Sequence, residues 1–251
     1  MAISSNSLYH FTNTIKNLEG IIENGFMPRY SLEDIKIKHI HLEIPFPMVC
    51  FCDIPLSKIS KHLDVYGYYG VGLSMNWAVK NRLNPIFYLD SNSQSAQTIM
   101  DVMMRLNSLG NDLKLEFTTG RNDVFFEIKQ LLRYIKPFRD DFKRKGKILK
   151  NYKFYDEREW RYVLSYEDNF NRLQLDFKKY TNKKILETEN KIISAKSLIF
   201  DAGDVNYLIV KHDNQIPSLI KSITKMDRFT DNEKSTLMTR VISAERIKTD
   251  F

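Results

Sequence analysis

Cysteine is nearly absent from this sequence: Cys50 and Cys52 are the two among 251 residues, with one residue between them. Neighbours that close rarely meet disulfide geometry, and two thiols alone make a poor zinc site, so reduced thiols in a strand are expected. Glycine and proline are also scarce, at 9 and 7 residues, and no Gly/Ser/Pro-rich linker divides the chain. A single domain over residues 1–251 is therefore expected, long enough to bury a full core. No window approaches the roughly 18 consecutive apolar residues of a membrane span. The start, MAISSNSLYHF, lacks the basic residues and apolar run of a signal peptide. Together these absences point to a cytoplasmic protein with no membrane partner. GxGxxG, P-loop, HExxH and GxSxG motifs are missing, and no Asp/Glu/His group has metal-ligand spacing. No metal is expected, and a nuclease is disfavoured. Acidic charge is in deficit, with 38 Lys and Arg against 31 Asp and Glu, a net charge of +7. That balance is compatible with anionic partners and says nothing about fold.

What is present reads as strands at both ends with helices between. LYHF at 8–11 is a short strand, and Thr12 or Asn13 is placed to cap the helix TIKNLEGIIENG, with Ile15, Leu18, Ile21 and Ile22 as its apolar stripe and Gly25 as its stop. PMVCFC reads as a buried strand, PLSKISKHLDVYG as a short helix, YGYYGVG as a glycine-containing turn, WAVKNRL as a helix and PIFYL as a strand. Residues 91–150 turn helical in pattern and form a helical insertion. EWRYVLSY, RLQLDF, KSLIF and NYLIVK are strands, the helix IPSLIKSITK carries Pro217 in its first turn, and an amphipathic segment, NEKSTLMTRVISAERI, closes the chain. Such an order argues for an α+β fold rather than a βαβ repeat.

Chemistry concentrates in three pieces. YHFT at 9–12 puts His10 on a strand, where a histidine serves either as a buried hydrogen-bonding group or as a ligand contact. FCDIPLSKISKHLDVYGYYGVGLSMNWA gathers Asp53, His62, Tyr66, Tyr68, Tyr69 and Trp77 around glycines. YDEREWRYVL places Glu157 and Glu159 two apart, hence on one face of a strand. Two carboxylates there repel, and burial raises the pKa of at least one, unless each is paired with an arginine across the sheet. The basic run RDDFKRKGKILKNYK precedes them, and it suits either a solvated face or a groove that tracks a nucleic-acid backbone.

LYHFTNTIKNLEGIIENGF, YYGVGLSMNWA and YDEREWRYV resemble, in order, the histidine strand, glycine block and glutamate strand of ADP-ribosyltransferase-like domains. MVCFCDIPLS, the following histidine, YGYYGVGL, WA and EREWR together resemble the AbiGi family of abortive phage-infection proteins. Phe11 stands where the poly-ADP-ribose polymerase type has Gly, and no Ser-Thr-Ser follows the first strand. The transferase resemblance implies split mixed or antiparallel sheets around a cleft, NAD as substrate, and an anti-phage toxin or effector that modifies nucleic acid or protein. Glu159 would stabilise an oxocarbenium-like ribose, Glu157 would orient the acceptor, and His10 would bond the adenosine-side ribose. Backbone near Thr12 would hold the nicotinamide amide, Tyr66, Tyr69 or Trp77 would stack on its ring, and Arg161 or Arg158 would contact pyrophosphate. Tyr9, Phe11, Phe51 and Asp53 would line the same site, and Arg139, Lys143, Arg144, Lys145 and Lys147 would hold nucleic acid. AbiGi members are also described as the antitoxin half of a two-gene system, which implies the alternative: a non-enzymatic binding subunit with a cognate partner from the same operon.

Overall fold

The computed structural model describes residues 5–37, 40–112, 130–144, 146–164 and 172–250. Along the chain run β1 (Ser7–Thr12), α1 (Ile15–Asn24), β2 (Arg29–Ile37), β3 (Ile40–Cys52), α2 (Ser60–Tyr66), β4 (Tyr69–Ser74) and α3 (Met75–Lys80). Next come β5 (Asn84–Pro85), β6 (Phe87–Leu89), α4 (Gln94–Asp112), β7 (Ile135–Pro137), β8 (Asp140–Arg144), β9 (Lys147–Tyr152) and β10 (Glu159–Val163). β11 (Val205–Val210) and β12 (Val241–Ser243) follow, interleaved with helices Lys183–Ile193, Ile216–Thr224, Asp231–Met238 and Ala244–Asp250. The fold is α+β. One eight-stranded sheet has the order β12-β11-β4-β1-β3-β10-β5, with β2 paired to β3, and every pairing is antiparallel except β11 with β12. β6–β7 and β8–β9 form separate two-stranded sheets. The arrangement is one continuous main sheet, not the two small sheets facing across a cleft that the transferase resemblance implied.

Register divides the side chains between two faces. Tyr9, Cys52 and Glu159 stand in one row across β1, β3 and β10. Because side chains alternate, their neighbours Phe51 and Trp160, with His10 opposite Val71, point the other way. The His10 face carries a core of Leu8, Val49, Phe51, Val71 and Leu73 against α1, α3 and helix Ile216–Thr224. The opposite face carries two cores: Tyr9, Phe11 and Cys52 with α2 and helix Ala244–Asp250, and Ile35, Phe46 and Met48 with α4 and β7.

Several elements match the sequence pattern. α1 buries Leu18 and Ile22, and Gly25 ends it at φ 74°; its cap is Thr14, whose hydroxyl accepts from Asn17 N, in place of Thr12 or Asn13. Others differ for physical reasons. The stretch from 91 to 150 is helical at Gln94–Asp112 but continues as β7, β8 and β9; residues 123–129, also read as helix, lie outside the described residues. Phe142 and Leu149 alternate with Lys143 and Ile148, a period-two pattern. RLQLDF and KSLIF form no strands: Leu173 and Leu175 are buried from irregular backbone, and Leu198 makes a single bridge to Phe26. Alternation there serves burial without a ladder. The closing amphipathic segment is a helix, a short strand and a second helix. The hairpin of β2 and β3 gave no sequence signal over 29–46 that was read as strand.

YGYYGVG is a strand in its second half, and its glycines answer to packing. A Cβ on Gly70 would lie 2.7 Å from the Phe11 ring, and one on Gly72 would lie 2.7 Å from Tyr9 Cε1. The rings of β1 therefore lie flat across β4 where it has no side chains. Gly72→Ala should destabilise the protein by ~1–3 kcal/mol through overpacking, and the same change in a Tyr9→Leu background should cost measurably less. Urea unfolding of the four proteins of this cycle checks it; equal costs in both backgrounds would mean that the ring is not what excludes the methyl group.

Candidate functional site

The two glutamates do converge, but not by strand alternation. Residues Phe154–Glu157 form a 3-10 turn, Arg158 takes a left-handed conformation at φ 47°, and β10 begins at Glu159. The turn swings Glu157 so that both carboxylates meet the ammonium of Lys136, at 2.8 Å from Glu157 Oε2 and 2.7 Å from Glu159 Oε2. β7 delivers that lysine, and its partner β6 contributes Tyr88, whose hydroxyl accepts from Glu159 N at 2.8 Å. On the other side Arg161 donates from Nε to Glu159 Oε1 at 2.6 Å, from Nη2 to Glu33 Oε1 at 2.8 Å and from Nη1 to the Arg133 carbonyl at 2.6 Å. Tyr66 donates its hydroxyl to Glu157 Oε1.

Three carboxylates thus face two cations in a buried cluster, with Arg161 at 0% and Glu157 at 3% exposure. Burial alone would raise Glu159, but Arg161 and Lys136 hold it well below the ordinary carboxylate range. Burial likewise works against the charge on Lys136, and Glu159 and Glu157 overcome it, leaving the lysine raised. Glu33 goes the other way: burial pushes its pKa up, with Arg161 and Lys136 only partly offsetting it. Burial also raises the thiols of Cys50 and Cys52, which are free and unreactive in character. No group of three or more metal-ligating residues occurs among the described residues.

The remaining expected site residues are divided by the sheet. His10, half-buried, bonds through Nδ1 with the Cys50 carbonyl at 2.8 Å, its ring against Phe26 and Phe51. Burial pushes its pKa down. Thr12 accepts from Asn17 Nδ2, Tyr69 accepts from Gln215 Nε2, and Trp77 donates from Nε1 to the Ile199 carbonyl at 3.0 Å. Phe51 and Trp77 belong to the core on the His10 face. Tyr9, Phe11, Glu159 and Arg161 lie on the opposite face. Tyr66 joins them, stacked on His62 with ring centroids 4.3 Å apart. Asp53 is buried and accepts from Ser5 N at 2.6 Å and Arg158 Nη2 at 3.2 Å. A cleft with His10 and Glu159 on one side is therefore not formed, since a one-residue difference in parity sends them through opposite faces of the sheet. Nor does Arg161 reach an open pyrophosphate position, because its guanidinium is wholly enclosed.

Of the basic run, Arg144 is turned inward, its guanidinium 4.1 Å over the Tyr66 ring, while Lys143 and Lys147 are exposed on the hairpin of β8 and β9. Arg139 lies beside the Phe138 ring, and Lys145 lies outside the described residues. Sequence reading missed Lys136 and Glu33. Lys136 sits in RYIKPF, where a lone lysine carries no motif; Glu33 sits in the unread hairpin, and its one signal is an acid among alternating apolar residues in LEDIKI.

Removing the lysine leaves two buried carboxylates opposed, so Lys136→Met should cost ~3–5 kcal/mol, much of it regained when Glu157→Gln and Glu159→Gln are added. Glu33→Gln should cost less than Glu159→Gln, because Glu33 meets one cation, Arg161, whereas Glu159 meets both Arg161 and Lys136. Stability contributed by Glu159 is full above the ordinary pKa of 4.5 and is lost as pH falls from there toward its depressed value. Glu33 acts with the opposite sign: its raised pKa makes its contribution fall as pH climbs above 4.5. Denaturant midpoints measured across that range for each variant test the assignment, and equal costs for the two Gln variants would contradict it.

A family model described as "Putative abortive phage resistance protein AbiGi, antitoxin" matches residues 24–211. The abortive phage resistance protein AbiGi of Lactococcus lactis subsp. cremoris is 28% identical over 255 residues, covering 90% of this chain and 100% of that protein. No solved structure matches this chain. The matching family is named for an antitoxin, which overturns the NAD-dependent transferase toxin implied by the other resemblance and favours the non-enzymatic alternative. With it goes the reason for expecting NAD or a nucleic-acid acceptor. The chain belongs to the AbiGi family of abortive phage resistance proteins.

Proposed function

We propose that this chain is the antitoxin of an abortive phage-infection system and that it binds and restrains a partner protein of the same system, without catalysis of its own. The observation that carries this is the match of residues 24–211 to a family described as an antitoxin. The site geometry supports it. A catalytic carboxylate needs an open position in which to meet a developing charge, whereas Glu157 and Glu159 are buried and spend their charge on Lys136 and Arg161. Their role is to lock β10, β7 and β2 together, and a rigid scaffold of that kind presents a preformed surface to a partner at low entropic cost. No helix among the described residues is long and apolar enough to cross a membrane.

Expressing the partner encoded in the same system should arrest growth of a bacterial host, and co-expressing this chain should restore it. Purified chain incubated with labelled NAD and host or phage extracts should leave protein, DNA and RNA unlabelled. A partner that is harmless alone, or label transfer that Glu159→Gln abolishes, would overturn the proposal.

A further inference from the structure

The hairpin of β8 and β9 pairs with no other strand among the described residues, and a lone two-stranded hairpin is marginally stable in water. Burial does not make up for that. No described residue from 140 to 152 is buried, whereas Pro137 before the hairpin and Phe154 after it are. Phe142 packs on Tyr152 and Phe154, with ring centroids 5.2 Å apart in each case, so its ring contacts lie toward the base. The base is also irregular. The ladder slips between Asp140 and Phe142, and Asn151 takes a left-handed conformation at φ 51°, which asparagine tolerates.

Asp140 meets Lys36 at 3.2 Å, but at the surface, where an ion pair is worth little. The tie near the turn is Arg144. Its guanidinium lies 4.1 Å from the Tyr66 ring centre, and its Nε donates to the Val65 carbonyl at 3.2 Å. That carbonyl is one of those the end of α2 leaves without a helical partner. Lys147 stands directly across the ladder from Arg144, on the same face. Two cations so placed repel, and among the described residues neither has an ion pair. The repulsion weakens the hairpin where its one inward side chain near the turn must hold it.

We propose that residues 140–152 form a hinged arm that opens independently of the main sheet, with Arg144 as its bolt, and that opening uncovers Tyr66. Segments with so little buried surface open at a lower free energy than the whole domain. The irregular backbone at the base is where the hinge lies, because a few residues at the ends of elements absorb such movements. Tyr66 connects the arm to the charge cluster: its ring carries Arg144 and stacks on His62, and its hydroxyl donates to Glu157. Lifting the guanidinium exposes that ring while Lys136 keeps both glutamates in place. The chain thus combines a rigid sheet with one moving part.

The test is native-state hydrogen exchange by NMR on the full chain in low urea. Protection factors of the amides of residues 142–149 should be ~100-fold or more below those of Val71 and Leu208 in the main sheet. They should hardly respond to urea, because a local opening exposes little surface. Arg144→Ala should lower them ~10-fold further and leave Val71 and Leu208 as they are. Lys147→Glu should raise them ~3-fold, since it turns a repulsive cross-strand pair into an attractive one. A soluble paramagnetic probe should broaden the Tyr66 ring signals more in Arg144→Ala than in the parent. Hairpin amides that exchange together with Val71, through global unfolding, would overturn the arm. Fast exchange that Arg144→Ala leaves unchanged, or Tyr66 signals broadened equally in both proteins, would overturn Arg144 as its bolt.

Discussion

The ammonium of Lys136 sits between two carboxylates that would otherwise expel one another from the interior. Three chain segments depend on that contact. β7 supplies the lysine, the turn before β10 supplies Glu157, and β10 supplies Glu159. Arg161 then extends the network to Glu33 on β2. Desolvating five charged groups is costly, and the arrangement persists because hydrogen bonds from Tyr66 and to the Arg133 carbonyl satisfy valences the ion pairs leave. A cluster so enclosed fixes how β6 and β7 lie against the main sheet.

The division of the sheet into two faces decides how the aromatic residues are used. Glycines at 70 and 72 leave β4 bare where Tyr9 and Phe11 lie across it, and His10, between them, turns into the opposite core. The histidine, the tyrosines and the glutamates are therefore ordered in sequence like a dinucleotide site without forming one. They serve instead as packing and hydrogen-bonding groups in an AbiGi protein.

Much of the fold was legible in the sequence. Period-two and helical patterns located β1, α1, α2, α3, β10, β11 and the helix with Pro217, and the strand-helix-strand order gave the α+β class. Where the reading failed, tertiary burial had overridden local pattern: Leu173 and Leu175 alternate like a strand but are buried from irregular backbone, and Phe142 and Leu149 were absorbed into a helical run. The site was legible only in half. Glu157 and Glu159 stood out as acids at the head of a strand, and pairing with an arginine across the sheet was one open outcome; Glu159 instead pairs with Arg161 on its own strand, and the cation that reaches both acids from another strand is Lys136. Lys136, some twenty residues upstream on another sheet, has no local signature, because what makes it matter is a long-range contact. Parity was decisive for His10: strand register, unreadable from a single chain, determines which face it occupies.

Glu157 and Glu159 form a closed structural clasp around Lys136. The most direct measurement is a carboxyl 13C NMR titration of both side chains with and without NAD. The clasp predicts that Glu159 stays ionised well below the ordinary carboxylate pKa of 4.5 and that neither resonance responds to the dinucleotide. Titration of Glu159 in the ordinary range, or shifts of both carboxyls on adding NAD, would contradict it and reopen the site as a binding cleft.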